Sequence, residues 1–217
     1  DTGAGLRFTV LPDRGMDIGQ AYYNGTPLAW VSRNNGVAPH FYDPEGFEWL
    51  RTWGGGLLTG CGLLNVGGPN TANGERHGLH GRLSHIPAEE VNTAAGWNAD
   101  GIYTLTASGR MHHTKVFGEN LVVTRTITTA FGDPSITVRD TVENQGFTPS
   151  PLMLLYHLNL GWPLVEEGSS LQAPPHEVAP QNAHAASGLD AWSRVTAPVP
   201  GFQEQVYYHT LPPDQQG

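Results

Sequence analysis

The sequence predicts an all-β protein, built as a large sandwich or barrel of mostly antiparallel strands. Strand patterns dominate: residues 121–130 (LVVTRTITTA) and 135–143 (SITVRDTVE) alternate branched apolar residues with polar ones. The chain also holds 28 glycines and 17 prolines, which are costly inside helices and useful at turns and strand edges. Consecutive strands joined by short turns form a meander, which is typical of sandwiches and barrels.

The individual elements follow from the same patterns. We predict strands, in chain order, at residues 6–11, 102–108, 111–117, 121–130, 135–143, 152–160 and 204–209. The second and third strands should form a hairpin around residues 109 and 110 (GR), and the turn sequence at residues 131–134 (FGDP) should join the fourth and fifth. Residues 172–188, rich in proline, alanine and histidine, predict a long surface loop.

The length of the chain favours a single domain. With 217 residues, 38% of them hydrophobic, the chain can bury one sizeable core, so we predict one domain over residues 1–217. The sequence opens without methionine and stops soon after its last strand pattern. We therefore expect this domain to be incomplete at both termini.

The charge and the cysteine count narrow the class of partner and the compartment. A formal net charge of -9 with only 11 Lys and Arg residues argues against a nucleic-acid partner and favours a neutral, polyhydroxylated or weakly charged ligand. Cys61 is the single cysteine, which excludes an internal disulfide and fits a reducing cytoplasm. No apolar run is as long as a membrane span, so we expect a cytoplasmic protein without a membrane partner.

The glycine-rich and histidine-rich segment 53–90 is the first candidate site, because glycines weaken strands and clustered imidazoles need hydrogen-bond partners. Residues 54–56 (GGG) do not resemble a phosphate loop, since no Gly-Lys-Ser/Thr follows. The histidines match no zinc spacing, so we predict no metal and expect His77, His112 and His113 to be scattered hydrogen-bonding groups.

Three further clusters leave a structural and a functional interpretation open. In residues 11–19, Asp13 and Asp17 bracket Arg14, which favours a turn closed by a local ion pair. In residues 152–163, alternation would place His157 and Asn159 on one face, where the histidine is either a proton carrier or a core residue bonded to a backbone carbonyl. Glu204, on the last predicted strand, is either an acceptor for sugar hydroxyls or a solvated charge.

Several sequence blocks stand in order along nearly the whole chain: LPDRGMDIG, GGGLLTGCGLLNVGGP, GLHGRLSHIPAEEV, DTVENQG followed by YHLNLGWPL, and FQEQVYYH. Together they resemble the aldose 1-epimerase-like family (the DUF4432 group) of the galactose mutarotase superfamily. The resemblance implies a β-supersandwich of two large, mostly antiparallel sheets whose concave face holds a monosaccharide. It also implies acid and base catalysis of ring opening, with no metal and no organic cofactor.

The resemblance assigns roles to particular residues. His157, in the strand that follows the Asp-x-x-x-Asn-x-Gly turn, matches the general acid, and His80, in Leu-His-Gly, matches the histidine that hydrogen-bonds the sugar near its ring oxygen. Residues expected to bind hydroxyls or other polar groups of the sugar are Arg51, Arg82, Glu204, Asn159 and Arg14. The family's general base is a glutamate near the C-terminus, and no glutamate of this sequence fits that position.

Three functions follow as hypotheses. The first is an aldose 1-epimerase that interconverts the anomers of a free monosaccharide or sugar derivative. The second is a carbohydrate-binding protein of the same fold without catalysis, which the missing base favours. If the molecule ends at Gly217, we expect binding without efficient turnover. If it continues, we expect the general base in the segment that follows. The third, suggested only by the histidine count, is a metal-dependent sugar isomerase of cupin type. The sequence predicts no oligomeric state.

Overall fold

The computed structural model describes residues 1–34, 36–72 and 74–213. The chain divides into two compact units, Asp1–Trp162 and Pro163–Gly217. The strands of the first unit are β1 (Leu6–Leu11), β2 (Asp17–Tyr23), β3 (Thr26–Pro27), β4 (Leu58–Leu63), β5 (Asn70–Ala72), β6 (Glu75–His77), β7 (Glu89–Trp97), β8 (Tyr103–Thr114), β9 (Asn120–Ala130), β10 (Thr137–Asn144) and β11 (Met153–Leu158). Its short 3-10 helices are Pro12–Arg14, Pro39–Phe41, Glu48–Arg51 and Leu83–His85.

The first sheet has the strand order β1-β2-β4-β11, with β3 beside β2, and all its pairings are antiparallel. Ile18 of β2 lies opposite Leu58 of β4, and Thr59 of β4 lies opposite His157 of β11. Residues directly opposite in an antiparallel pair direct their side chains to the same face. Thr59 and His157 therefore share one face, and Leu58 belongs to the other.

The second sheet is a four-stranded meander of order β10-β9-β8-β7. The predicted hairpin of residues 121–130 and 135–143 is confirmed as β9 and β10. The hairpin predicted around residues 109 and 110 is wrong, because β8 runs unbroken from Tyr103 to Thr114 and pairs with β9 from Thr104 to Thr114. Gly109 has a packing reason: a Cβ there would lie 3.0 Å from Met16 Sδ and 3.0 Å from Ala88 Cβ. The partner on the other side of β8 is β7, which the sequence patterns missed.

The hydrophobic core lies between the two sheets. One cluster of buried residues combines Met16, Leu63 and Leu83 with Met111, Leu121 and Val123 of the second sheet. A second cluster joins Ile18 and Leu58 of the first sheet to Ile127 of β9. The face of the first sheet that carries Leu58 is thus the core face. The opposite face, which carries Thr59 and His157, is free to build a site.

The strand predicted at residues 152–160 is confirmed in its centre as β11, but it leaves the meander. It pairs with β4 of the first sheet. The segment between β10 and β11, residues 145–152, forms no regular element and carries the chain from the second sheet to the first. This crossover brings His157 next to β4 and to the glycine-rich segment.

The second unit contains β12 (Glu177–Pro180), β13 (Tyr207–Thr210), the helix α1 (Ala183–Ala186) and the 3-10 helix Leu189–Ala191. β12 and β13 pair antiparallel. The long loop predicted at residues 172–188 is therefore wrong in part, since it contains β12 and α1, which is capped by the Asn182 side chain accepting from Ala185 N–H at 2.9 Å. The strand predicted at residues 204–209 begins later, at Tyr207.

The all-β fold class is confirmed by the two antiparallel sheets of the first unit. That residues 1–217 form a single, incomplete domain stays a prediction. No helix among the described residues is long and apolar enough to cross a membrane.

Candidate functional site

His80 lies in a turn that is held against the end of β4 by backbone hydrogen bonds. Gly62 N–H donates to His80 O at 2.9 Å, and His80 N–H donates to Gly67 O at 2.9 Å. His80 itself has a φ of 58°, which is rare for a residue with a side chain and indicates that the surrounding contacts hold it there. Gly81 must be glycine, because a Cβ would lie 2.4 Å from Gly62 O.

His80 and His157 meet on the open face of the first sheet. Their ring centroids are 5.3 Å apart and nearly perpendicular, with an interplanar angle of 87°. Two tryptophans flank them: Trp49 packs against His80 at 5.0 Å and Trp53 against His157 at 5.4 Å. Both histidines are half-buried, so the pair forms a small aromatic patch that remains open to a ligand.

The tautomer of His80 follows from its hydrogen bond. Gly67 N–H donates to His80 Nδ1 at 3.3 Å, so Nδ1 is the unprotonated nitrogen and the neutral ring carries its hydrogen on Nε2. Burial, and then the nearby His157, lower the pKa of His80 to about 4. At neutral pH His80 is therefore a neutral hydrogen-bond donor.

His157 is held beside a polar cluster centred on Thr59. Thr59 Oγ1 accepts from Trp53 Nε1–H at 3.2 Å and from Asn159 Nδ2–H at 3.3 Å. His157 Nδ1 is enclosed and has no hydrogen-bond partner among the described residues. Nε2 is consequently the ring nitrogen of His157 that can meet a ligand.

Asn159 is buried and its amide is used inside the protein. Nδ2 donates to Gly56 O at 2.8 Å and to His157 O at 3.2 Å, besides Thr59. Asn159 follows the end of β11 and ties it to the glycine-rich residues before β4. The described contacts give Asn159 a positioning role, and its predicted contact with a sugar stays a prediction.

A second polar centre surrounds Arg14 and His85. Arg14 Nη1 donates to Val37 O at 3.0 Å, and Arg14 Nη2 donates to His85 Nε2 at 3.3 Å. His85 Nε2 also lies 2.8 Å from Thr52 Oγ1, and Tyr42 stacks on the His85 ring at 4.2 Å. Because Arg14 has no acceptor, His85 Nε2 must be unprotonated. Burial, and then Arg14, lower the pKa of His85 to about 3.

Arg14, Asp17 and Thr59 line a cavity of about 350 Å³. The rest of its wall comes from β1, from Asp13, from residues 19 and 20 of β2, from residues 31, 36 and 37, and from the glycines at 54–56. This volume lies in the range of small-molecule sites. Neither His80 nor His157 belongs to the lining, but Thr59 lines the cavity and lies opposite His157 in the sheet. The cavity and the histidine pair are therefore neighbours on one face.

The floor of the cavity is joined to the second sheet by a buried charge network. Arg125 of β9 donates to both carboxylate oxygens of Asp140, at 2.9 Å from Nε and 2.7 Å from Nη2, and its Nη1 lies 3.5 Å from Asp17 Oδ1. Gly60 N–H donates to Asp17 Oδ1 at 2.7 Å, and Tyr156 O–H donates to Asp140 at 2.9 Å. The local ion pair predicted between Arg14 and its flanking aspartates is wrong, since Asp17 pairs with Arg125 instead.

The three arginines proposed from the sequence do not converge. Arg14 lies in the cavity, whereas Arg51 is exposed and forms an ion pair with Glu48 within one 3-10 helix. Arg82 is exposed and lines a different, very small cavity together with His113 and Glu119. Glu204 belongs to the second unit, where it is exposed and precedes β13. The binding roles of these residues stay predictions.

The histidines form no metal site within the described residues. No group of three or more His, Cys, Asp or Glu side chains there is placed to hold a metal ion. His85 and His113 are buried. His80 accepts a hydrogen bond from Gly67 N–H at Nδ1, and its ring packs against the His157 ring.

The family model described as Domain of unknown function (DUF4432) matches residues 1–217. The chain belongs to this family. The resemblance on which the DUF4432 assignment rested is thereby confirmed. Among curated proteins, none matches this DUF4432 chain significantly.

One solved structure is closely similar to this DUF4432 chain. It is a crystal structure described as a "putative aldose 1-epimerase" from Klebsiella pneumoniae subsp. pneumoniae MGH 78578, with a TM-score of 0.90 and 28% sequence identity over 98% of this chain. The chain spans 56% of the length of that protein. The mutarotase-like fold is supported by this similarity.

Several residues of the site escaped the sequence patterns. The sequence around Asp17 is typical of a turn, and Arg125 stands in a segment whose alternation predicts only a strand. One signal was present: Arg125 stands between Val123 and Ile127, two residues away from each on the same strand, so it must share their buried face. A charge on such a face requires a buried partner.

Proposed function

We propose that this DUF4432 protein acts as an aldose 1-epimerase on a monosaccharide or sugar derivative bound over the His80–His157 pair. The perpendicular contact of the two imidazoles between Trp49 and Trp53 is the observation that carries the proposal. It supplies two imidazole nitrogens on one open patch, which suits a reaction that needs only proton transfers. The similar crystal structure described as a "putative aldose 1-epimerase" supports the same reaction class.

The geometry assigns a different role to each histidine. His80, neutral with its hydrogen on Nε2, donates a hydrogen bond and does not ionise near pH 7, because its pKa is lowered to about 4. His157 has its Nδ1 enclosed, so Nε2 delivers a proton to the ring oxygen. As the C1–O5 bond breaks, its electron pair takes that proton, while a water molecule, acting as the base, takes the C1 hydroxyl proton and the freed pair forms C1=O. Rotation about C1–C2 and reversal of these transfers give the other anomer.

The test is the rate of anomer exchange. Freshly dissolved single anomers of a panel of aldoses are followed by polarimetry and exchange NMR with the full chain and its His157→Ala variant. Loss of a general acid lowers a rate by about 10²–10⁴-fold. We expect that loss for His157→Ala, with KM changed less than kcat because the residue acts mainly in the transition state.

His112→Ala is the matched control. His112 lies on β8 of the second sheet and is half-buried, but it touches neither His80 nor His157. It should retain the wild-type exchange rate. If the wild-type protein equilibrates every tested aldose at the buffer rate, epimerase activity is ruled out for this chain.

Carbohydrate binding without catalysis is the second candidate, and one observation favours it. Glu204, the last glutamate of the sequence, is exposed and lies before β13 rather than on it. Glu204 therefore does not occupy the late strand position that the resemblance implies for the general base. Calorimetry that shows sugar binding, combined with exchange at the buffer rate, would select this function.

A further inference from the structure

The cavity beside the histidine pair contains a buried carboxyl group with one oxygen left over. Asp17 is 4% exposed and lines the cavity. Its Oδ1 accepts from Gly60 N–H and faces Arg125, while no described residue donates a hydrogen bond to Oδ2. Because Asp17 lines the cavity and its Oδ1 is already engaged, Oδ2 is the oxygen left for a molecule bound in the cavity. A buried acceptor in this state requires a donor from a ligand or from water.

The charges around Asp17 indicate which ligand can supply that donor. Arg14, the cation of the cavity, already donates to Val37 O and to His85 Nε2. Asp13 places a second carboxylate in the lining. A carboxylate or phosphate of a ligand would therefore face two acidic side chains and an arginine that already uses two of its five N–H donors inside the protein. A neutral hydroxyl group carries no such penalty and donates directly to Oδ2.

The carboxyl group also titrates in an accessible range. Burial raises the pKa of Asp17 to about 7, against the opposing effects of Arg125, the Gly60 N–H and Arg14; Asp140 adds to the increase. Arg125 faces Asp17 from β9, the Gly60 N–H from β4, Arg14 from the 3-10 helix Pro12–Arg14 and Asp140 from β10. Its carboxylate form, the better acceptor, thus predominates above about pH 7 and is lost below it.

We propose that the cavity is the subsite for a hydroxyl group of a neutral sugar, with Asp17 Oδ2 as its acceptor, and that it discriminates against sugar acids and sugar phosphates. The inference names the substrate class of the proposed epimerase site and rests on that function for its ligand. Thr59 connects the two places, because it lines the cavity and lies opposite His157.

Binding by the full chain tests the proposal. Titrations of D-galactose and D-galacturonate, followed by protein NMR shifts at pH 5.5 and pH 8, are compared for the wild type, Asp17→Asn and Asp100→Asn. Asn keeps an oxygen for Gly60 N–H but removes the charge, and a hydrogen bond to a charged group is worth enough for about a tenfold change in affinity. Asp100 is an exposed turn residue between β7 and β8 and serves as the control.

We expect the wild type and Asp100→Asn to bind galactose about tenfold more tightly at pH 8 than Asp17→Asn does, with the difference shrinking at pH 5.5. Galacturonate should bind more weakly than galactose to the wild type at pH 8. Tighter binding of galacturonate, equal binding of galactose by wild type and Asp17→Asn, or no binding of galactose at all would each overturn the proposal.

Two further measurements cover a misfolded Asp17→Asn variant and a failure of the epimerase reaction. If Asp17→Asn does not fold, carboxyl ¹³C NMR of the wild type replaces it: the Asp17 resonance must titrate near pH 7 and shift when galactose is added, and an unmoved resonance refutes the proposal. Failure of the epimerase reaction is scored separately. An exchange rate unaffected by His157→Ala, with galactose binding still dependent on Asp17, removes the catalytic proposal and leaves the subsite.

Discussion

The two sheets of the first unit differ in how regular they are. In the second sheet, β8 and β9 pair over eleven consecutive residue pairs, and their inward side chains are mainly aliphatic. In the first sheet, β2 and β4 are joined through a single registered pair, Ile18 with Leu58. Buried polar groups concentrate there and in its loops: Arg14, Asp17, Thr59, His85 and Asn159.

This difference shows where the fold accommodates a site. The second sheet supplies an apolar layer, while glycines and short 3-10 helices around the first sheet let backbone and polar side chains come close together. Three polar residues of the second sheet are buried as well, His113, Arg125 and Thr129. Arg125 is fully buried and reaches Asp17 of the first sheet and Gly15 O in the turn before it. Variants can measure how far the two sheets depend on one another at this point.

The largest effect on stability is expected from Arg125→Met. It leaves Asp17 and Asp140 buried without their cation, and breaking one side of a buried ion pair costs about 3–5 kcal/mol. The free energy of unfolding from urea titrations measures this cost. Arg139→Met on β10 is the control, because Arg139 is exposed and such surface changes stay within about 0.5 kcal/mol. Equal stability of the two variants would mean that the network does not link the sheets.

Gly60→Ala should have an intermediate effect and sharpens the comparison between the sheets. The added Cβ would lie 3.0 Å from Arg125 Nη1 and 3.3 Å from Asp17 Oδ1, and overpacking of this kind costs about 1–3 kcal/mol. Gly96→Ala on β7 is the matched control, since its Cβ meets nothing within 4 Å. Urea unfolding of both variants is the measurement. A Gly60→Ala protein as stable as Gly96→Ala would show that the contact with Arg125 is not tight.

The acid dependence of stability tests the polar centre around Arg14 and His85. His85 has a folded pKa of about 3, below its unfolded value of about 6.5, so its contribution is complete above pH 6.5 and is lost as the pH falls towards 3. The slope from this one group approaches about 1.4 kcal/mol per pH unit. Unfolding free energies between pH 6.5 and 4.5 should therefore fall less steeply for His85→Gln than for the wild type. Parallel curves would contradict the neutral, Arg14-bonded state of His85.

Sequence patterns predicted the second sheet better than the first. The alternation of residues 121–130 and 135–143 correctly predicted β9, β10 and their pairing, because the two-residue period of a strand depends only on neighbouring residues. The same rule failed at Gly109, where a glycine that looked like a turn allows close packing against Met16 and Ala88. It also failed at β7, whose residues are exposed and therefore carry no apolar alternation.

The candidate site was predictable in part. The Leu-His-Gly block and the strand histidine pointed to His80 and His157, and the structure brings their rings together at 5.3 Å. Arg51 and Arg82 were equally reasonable candidates for sugar binding from the sequence, yet both are exposed. Arg51 pairs with Glu48, and Arg82 lies beside another cavity. Nothing in the local sequence around an arginine says which way its loop will face.

The sequence by itself determined the all-β class, the family and the two histidines that we propose as the site, because these depend on local periodicity and on motifs of a few residues. Only the tertiary structure decided which polar groups meet. Arg14 bonds His85, 71 residues away, and Arg125 joins Asp17 across two sheets. Such contacts depend on strand register and on how the sheets pack, and they exist because a charge removed from water must find its partner wherever the folded chain places one.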